Sequence, residues 1–370
     1  GIFSFQFEDG YRPKGVLTID PELIFSTYSG STADNFGYTA TFDSDGFLYS
    51  GSSAFGDQYP TTLGAYQEVW AGGEGSGSLV GTDIALSKYD TTGTFMVWST
   101  LIGGTADELP HSLIVDNQDQ LFLLGTTSSD DFPFTNGAYD TSFGGGVSFA
   151  PAGVGVDYAL GSDIIVAKFS ADGTSLLAST FVGGSGNDGI NQGGSLKFNY
   201  ADEMRGEVEI DHDGNICIAS CTFSDDFPTV NPIQNTHGGG LDGCIFKLDP
   251  NLENLLWSTF LGGLQNDATY SLAIDADNKL IVAGGTKNSG FLDNLGYQTS
   301  FNGGTADGFL ARLDPVASTI DNATYLGSPW YDQVYFVEID DQGLVYAYGQ
   351  TQADGDFFIN NAAYGQEDSG

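Results

Sequence analysis

The chain has 370 residues, 40% of them hydrophobic, with 53 glycines and 13% aromatics, and 49 acidic against 10 basic residues give a formal net charge of −39. The apolar content supports a large buried core and excludes a disordered acidic tail. The sign of the charge excludes a nucleic-acid binder, which needs cationic contacts to phosphate, and it repels anionic membrane surfaces.

Along the chain one phrase returns. Phe25-Ser26-Thr27-Tyr28-Ser29-Gly30 is followed by Trp98-Ser99-Thr100-Leu101-Ile102-Gly103-Gly104 and Ala178-Ser179-Thr180-Phe181-Val182-Gly183-Gly184. It comes back as Trp257-Ser258-Thr259-Phe260-Leu261-Gly262-Gly263 and as Ala323-Thr324-Tyr325-Leu326-Gly327. The repeat is about 65 to 80 residues long, more than common propeller repeats, and the excess lies in loops. Each repeat holds four short runs of alternating or continuous apolar residues bounded by Gly, Asp and Asn. In the second repeat strands are predicted near residues 112–116, 121–126, 163–169 and 176–182. No segment carries a helical period over ten residues. The expected fold is all-β, a β-propeller of four-stranded antiparallel blades with four full blades and a partial fifth. Leu23–Tyr28 is expected to pair in the blade that comes last in the chain, protecting an edge.

The first hairpin of each repeat is short and acidic, as in Asp43-Ser44-Asp45-Gly46, Asp211-His212-Asp213-Gly214 and Asp340-Asp341-Gln342-Gly343. Asp and Gly there supply positive φ and local side-chain bonds. The long insertions 71–82, 144–162 and 186–205 occupy connections at the other end of the blades, so all three are expected on one face. Cys217 and Cys221 are four apart on a strand, roughly 13 Å, too far to bond; buried free thiols are expected, with Cys244 the one residue able to face Cys221. No apolar run reaches the roughly 18 residues of a membrane span. The chain is expected to be part of something longer.

These repeats resemble the bacterial SBBP-type β-propeller repeat. The resemblance rests on the Ser-Thr-aromatic-x-Gly-Gly strand end, the Asp-x-x-Gly hairpin, and Thr-x-Ser-x-Asp-Phe-Pro at residues 127–133 and 222–228. Gly64-Ala65-Tyr66 and Gly137-Ala138-Tyr139 add to it, as does Gly-Gly before Asp242 and Asp307. It covers residues 22–365. Residues 1–21 resemble trailing strands of a preceding β-sandwich or a linker, and 22–370 are the blades, incomplete at the C-terminal side. Similar stretches occur in Bacteroidetes surface proteins linked to gliding motility and type IX secretion. That likeness implies an extracellular or cell-surface location on the outer-membrane exterior, adhesion or display, and membership of a surface assembly.

Candidate sites are sparse. Asp43 with Asp45 and Asp211 with Asp213 open oxygen-ligand loops, so calcium is the cation to consider, although the turns need no metal and no cofactor is required. Catalytic residues are not identified. His111, His212 and His237 lie in no nucleophile elbow, and no zinc motif exists. Asp130-Asp131 and Asp225-Asp226 recur at equivalent positions, as structural turns do. The unique stretch is Phe198–Arg205. Tyr158, Tyr200, Asp202, Glu203 and Arg205 are the ligand-binding candidates, with Tyr158, Tyr200 and Arg205 expected to be exposed. Arg205 paired with Asp202 or Glu203 would instead pin the loop.

The expected function is a non-catalytic surface or secreted module that displays, adheres or binds a glycan or protein, and not an enzyme. The alternatives are a polysaccharide-acting enzyme with acids on the insertion face, and an architectural spacer. An acid pair in a deep central pocket, one member with a raised pKa, would favour the enzyme. A shallow face with exposed aromatics would favour the binding module.

Overall fold

A computed structural model describes residues 25–73, 81–199, 202–288, 290–292, 295–353 and 357–358. The first blade is β1 (Asp34–Phe42), β2 (Leu48–Phe55), β3 (Asp83–Tyr89) and β4 (Met96–Ile102). The second is β5 (Glu108–Val115), β6 (Leu121–Thr127), β7 (Asp163–Phe169) and β8 (Leu176–Val182). The third is β9 (Glu207–Ile210), β10 (Ile216–Thr222), β11 (Asp242–Leu248) and β12 (Leu255–Leu261). The fourth is β13 (Asp267–Ile274), β14 (Leu280–Thr286), β15 (Asp307–Asp314) and β16 (Thr319–Leu326). A two-stranded sheet follows, β17 (Asp332–Ile339) with β18 (Val345–Thr351). Each sheet is an antiparallel meander, so the propeller of four full blades and a partial fifth is present. The strands of the second repeat match their predicted positions.

The blades pack face to face. Ile84, Leu86 and Trp98 of the first meet Leu113, Leu123, Ile165 and Phe169 of the second, and equivalent layers join the later blades. Sheets covered on both faces need continuous apolar strands. That is why β3, β6, β10, β11 and β14 are buried throughout, while the outermost strands begin half-exposed. The three cysteines are buried and free, and Cys244 lies opposite Ser220 rather than Cys221.

The repeated phrases are spent on one recurring scaffold. Thr100, Thr180, Thr259 and Thr324 of the outer strands each accept the main-chain N–H of a residue in the connection between second and third strands, at 2.9–3.0 Å. Ser129 Oγ accepts Ala106 N and Asp131 accepts Thr105 N, both at 2.8 Å; Ser224 and Asp226 repeat this with Gly186 and Ser185. The Thr-x-Ser-x-Asp signature therefore caps the turn that enters its own blade. The Gly before that turn is required by space. A Cβ on Gly183 would lie 2.8 Å from Asp188 Oδ2 and 3.0 Å from Asp163 Cγ. Gly183→Ala is expected to destabilise by roughly 1–3 kcal/mol through overpacking, read as a lower denaturant midpoint.

Residues 25–30 form no strand, contrary to the expectation for Leu23–Tyr28, whose first two residues lie outside the described ones. Among the described residues no third strand stands beside β18 to receive them, and Phe25 instead packs its ring on Gly93 of the β3–β4 turn.

Candidate functional site

The first strand of every blade lines one central cavity of about 640 Å³, with Tyr38–Phe42, His111–Val115, Glu207, Glu209, Tyr270, Phe336 and Glu338 on its wall. A narrower recess of about 130 Å³ adjoins it, lined by Tyr38, His111, Met204, Arg205, Tyr270 and Tyr335. Four of these side chains are there for one backbone reason. The pairing of first and second strands slips by one residue between Gly37 and Thr39, Pro110 and Ser112, Thr269 and Ser271, and Val334 and Phe336. The skipped residues are Tyr38, His111, Tyr270 and Tyr335. A β-bulge leaves one residue unpaired and re-aims its side chain, here toward the axis.

The insertions close one end. Asp107 accepts Thr82 N at 2.8 Å and Asp157 N at 2.6 Å, tying together the bases of two of them. Val154, Val156 and Tyr158 of one pack with Ile190 and Met204 of another. A single 3₁₀ turn, Asp202–Met204, sits over the recess. Buried Asp202 accepts Phe198 N at 2.8 Å, Asn199 N at 2.7 Å and Arg205 Nε at 2.9 Å. Asn199 reaches Tyr335 Oη at 2.7 Å, so this loop bridges from the third blade to the fifth.

The cavity chemistry is acidic. Glu207 Oε2 accepts from Ser271 Oγ and, at 3.0 Å, from Leu272 N. Burial pushes Glu207 up to about 7. Burial, then the neighbouring Glu207 and Glu338, push Glu209 up to about 8. The two glutamates are two residues apart on β9, so they share a face about 6.7 Å apart along the strand. Glu338 faces them from β17 and is exposed. Phe42 and Phe336 expose 43% and 49% of their surface on the same wall, which gives a ligand apolar faces to rest on. His111 is buried and therefore held neutral, its pKa lowered to about 3. Its Nε2 meets Thr126 Oγ1 at 3.1 Å, and Nδ1 has no partner among the described residues.

Of the sequence-derived candidates, Arg205 alone among the described residues lines the recess. Tyr158, expected to be exposed, is fully buried, with its hydroxyl 2.7 Å from Thr126 Oγ1, because the 144–162 insertion folds inward over the second blade. Tyr200 lies outside the described residues. Asp202 is consumed by the loop, and Glu203 pairs with Lys197 at 3.2 Å. Arg205 pairs with Asp202 and stacks 4.1 Å from the Tyr335 ring, as a loop pin does, while lining the recess. The hairpin acids are also occupied. Asp43 Oδ2 holds Lys88 at 2.9 Å and Asp211 Oδ2 holds Lys247 at 2.7 Å, so a lysine ammonium stands where calcium was considered. Asp45 and Asp213 point outward on the same turns. Asp116–Lys168 at 3.7 Å and Asp275–Arg312 at 2.6 Å complete the pattern in the other full blades. No set of three or more His, Cys, Asp or Glu converges as a metal site among the described residues. No helix there is long and apolar enough to cross a membrane.

No family model matches the chain, and no curated protein matches it. Its solved structural neighbours are β-propeller-like. A protein of unknown function from Dyadobacter fermentans is 10% identical, with 90% of this chain and 78% of that one covered and a TM-score of 0.46. The NanB sialidase of Streptococcus pneumoniae is 12% identical, covering 88% and 66%, with a TM-score of 0.31. A gluconolactonase of Xanthomonas campestris is 8% identical, covering 87% and 84%, with a TM-score of 0.35. A family-43 glycoside hydrolase and a leech trans-sialidase are also among them. The expectation that the chain is not an enzyme is corrected by this finding, since these neighbours are mostly enzymes. The likeness is one of fold and carries no activity to this chain.

Holding Glu209 protonated has a thermodynamic signature. A carboxyl whose folded pKa is raised binds its proton more tightly when folded, so its contribution to stability falls as pH rises from the unfolded value near ~4.3 toward about 8. The melting-temperature advantage of Glu209→Gln over the parent is expected to grow across pH 5 to 8. A difference that stays flat would show that Glu209 titrates as it does in water.

Proposed function

We propose that this chain is a glycan-acting propeller whose chemistry takes place in the central cavity. The observation that carries the reading is the Glu207–Glu209 pair, with raised pKa values, on the innermost strand of a cavity walled by exposed Phe42 and Phe336. Glu209 is the proton donor. It remains protonated at neutral pH and delivers its proton to the glycosidic oxygen as the C–O bond breaks. Glu338 supplies the second carboxylate, taking a proton from the water whose oxygen bonds to the anomeric carbon. Glu207 keeps Glu209 protonated, being itself fixed by Ser271 and Leu272. The bulged aromatics and Arg205 form the floor against which a sugar ring rests.

The finer setting belongs to the same proposal. The repeat phrases support an SBBP-type protein that is secreted or displayed on the outer-membrane exterior. Type IX export, a link to gliding or adhesion, and a surface glycan as partner accompany that reading. The test is incubation with a panel of neutral and acidic polysaccharides, measuring new reducing ends between pH 5 and 8. Release from at least one class, lost when Glu209 is replaced, is expected. Binding without release across the panel, or neither, would overturn the proposal.

A further inference from the structure

The four blade junctions share a buried constellation at the blade end opposite the lysine–aspartate pairs. The first residue of the third strand (Asp83, Asp163, Asp242 or Asp307) and an acid at the entry to the next blade (Glu108, Asp267 or Asp332 opening the first strand, or Asp188 in the connection before β9, bridged to Thr222) are all buried, at 0–1% exposure. Within a junction the two acids converge on the glycine that ends the fourth strand. An ideal Cβ on Gly103 would lie 2.6 Å from Asp83 Oδ1 and 2.7 Å from Glu108 Oε2. On Gly183 it would lie 2.8 Å from Asp188 Oδ2 and 3.0 Å from Asp163 Oδ1.

Both oxygens of Glu108, Asp163, Asp188 and Asp267 accept hydrogen bonds, whereas Asp83, Asp242, Asp307 and Asp332 engage only Oδ2. Asp242 Oδ2 accepts Gly238 N, Asp307 Oδ2 accepts Asn302 N and Asp332 Oδ2 accepts Ser328 N, all at 2.6 Å. The other oxygen, Oδ1 of Asp83, Asp242, Asp307 and Asp332, is buried without a hydrogen-bond partner among the described residues. The basic side chains in ion pairs do not reach it. They are committed to the hairpin aspartates at the far end of the blades, or to Asp202, Glu203, Asp314 and Asp321. Two facing carboxylates buried with no counter-charge are strongly unfavourable. Without one, burial pushes Asp83, Asp163, Asp242, Asp267 and Asp307 up to about 7.

We propose that the first, third and fourth blade junctions, where an open buried carboxylate oxygen remains, each bind a calcium ion between their paired carboxylates, so that cations clamp consecutive blades. The donor chemistry selects the metal: every candidate ligand is a hard oxygen, and neither His nor Cys takes part. With two acids per site, the remaining positions fall to main-chain, hydroxyl and water oxygens, which calcium accepts.

The test uses the whole chain, stripped of metal and reloaded with calcium, with bound metal counted by elemental analysis and by terbium luminescence at pH 7.5. About three equivalents are expected. A chelator at matched ionic strength should lower the melting temperature by several degrees, and added calcium should restore it where sodium does not. Asp242→Asn should remove about one equivalent, and Asp45→Asn, on an exposed hairpin, none. Should Asp242→Asn fail to fold, Asp307→Asn at the last full junction and the parent stoichiometry decide. Less than one equivalent bound, with a melting curve indifferent to chelator, overturns the proposal. A melting temperature that then falls steeply from pH 6 to 9 would assign the junctions to shared protons instead.

Discussion

Replacing Glu209 by Gln is expected to lower glycan turnover by roughly 10²–10⁴-fold, the usual contribution of a positioned proton donor. Fold should be unaffected, because the amide keeps the shape and removes a group that burial and two acidic neighbours keep uncharged. The split between parameters identifies the role. A proton donor acts only in the transition state, so kcat should collapse while KM moves little. Substrates with acidic leaving groups need less protonation and should lose less. Glu207→Gln has a distinct expected signature. Removing its charge relieves Glu209 of a repulsive neighbour, so the alkaline limb of the pH profile should move down in pH, with a smaller loss in kcat. Equal losses for both variants on all leaving groups would show that neither residue is the donor.

The second large effect is on stability. Lys247→Ala is expected to cost roughly 3–5 kcal/mol, because it leaves Asp211 buried without its counter-ion. Asp211 shows how finely this is set. Burial alone would raise its carboxyl, but Lys247 and Asn215 outweigh burial and hold it below the usual range. Such a group contributes stability above the unfolded pKa near ~3.9 and loses it as pH falls through the folded value. The Lys247→Ala deficit should therefore be largest at neutral pH and shrink on acidification. Pairing it with Asp211→Leu should recover much of the loss, since the uncompensated charge is then gone. The denaturant midpoints of the two variants, compared at pH 7, measure this directly.

The architecture was legible because its causes are local. Four apolar runs per repeat, acidic hairpins and Gly-Gly strand ends each specify one turn or one packed face, and β6, β7 and β8 formed where those signals lie. The hairpins illustrate the limit. Asp43 and Asp211 look like metal loops in one dimension. Only the third strand, at Lys88 and Lys247, shows what neutralises them, and that pairing joins residues more than thirty positions apart. The axis was harder still. Tyr38, His111, Tyr270 and Tyr335 reach it through bulges, which have no composition signal of their own. A faint trace exists: His111, Tyr270 and Tyr335 each follow the first acid of their strand by three residues. Glu207 and Glu209 read as ordinary alternating polar positions, and their burial comes from four other blades. The expected exposure of Tyr158 failed for the converse reason. Tyr158 sits in a long loop, yet that loop packs inward with Leu109 and Met204.

The most direct measurement of the central claim is affinity labelling followed by peptide mapping. Glycosides carrying a terminal epoxide are opened by a protonated carboxyl and trapped as an ester by a nearby carboxylate, so they mark the acids of a glycan site. Incubation at pH 6, tryptic digestion and mass spectrometry would locate the ester. The ester is expected on Glu207, Glu209 or Glu338, in competition with added substrate. Labelling confined to exposed acids such as Glu253 or Glu68 and unaffected by substrate, or no ester at all, would contradict a glycan-acting cavity.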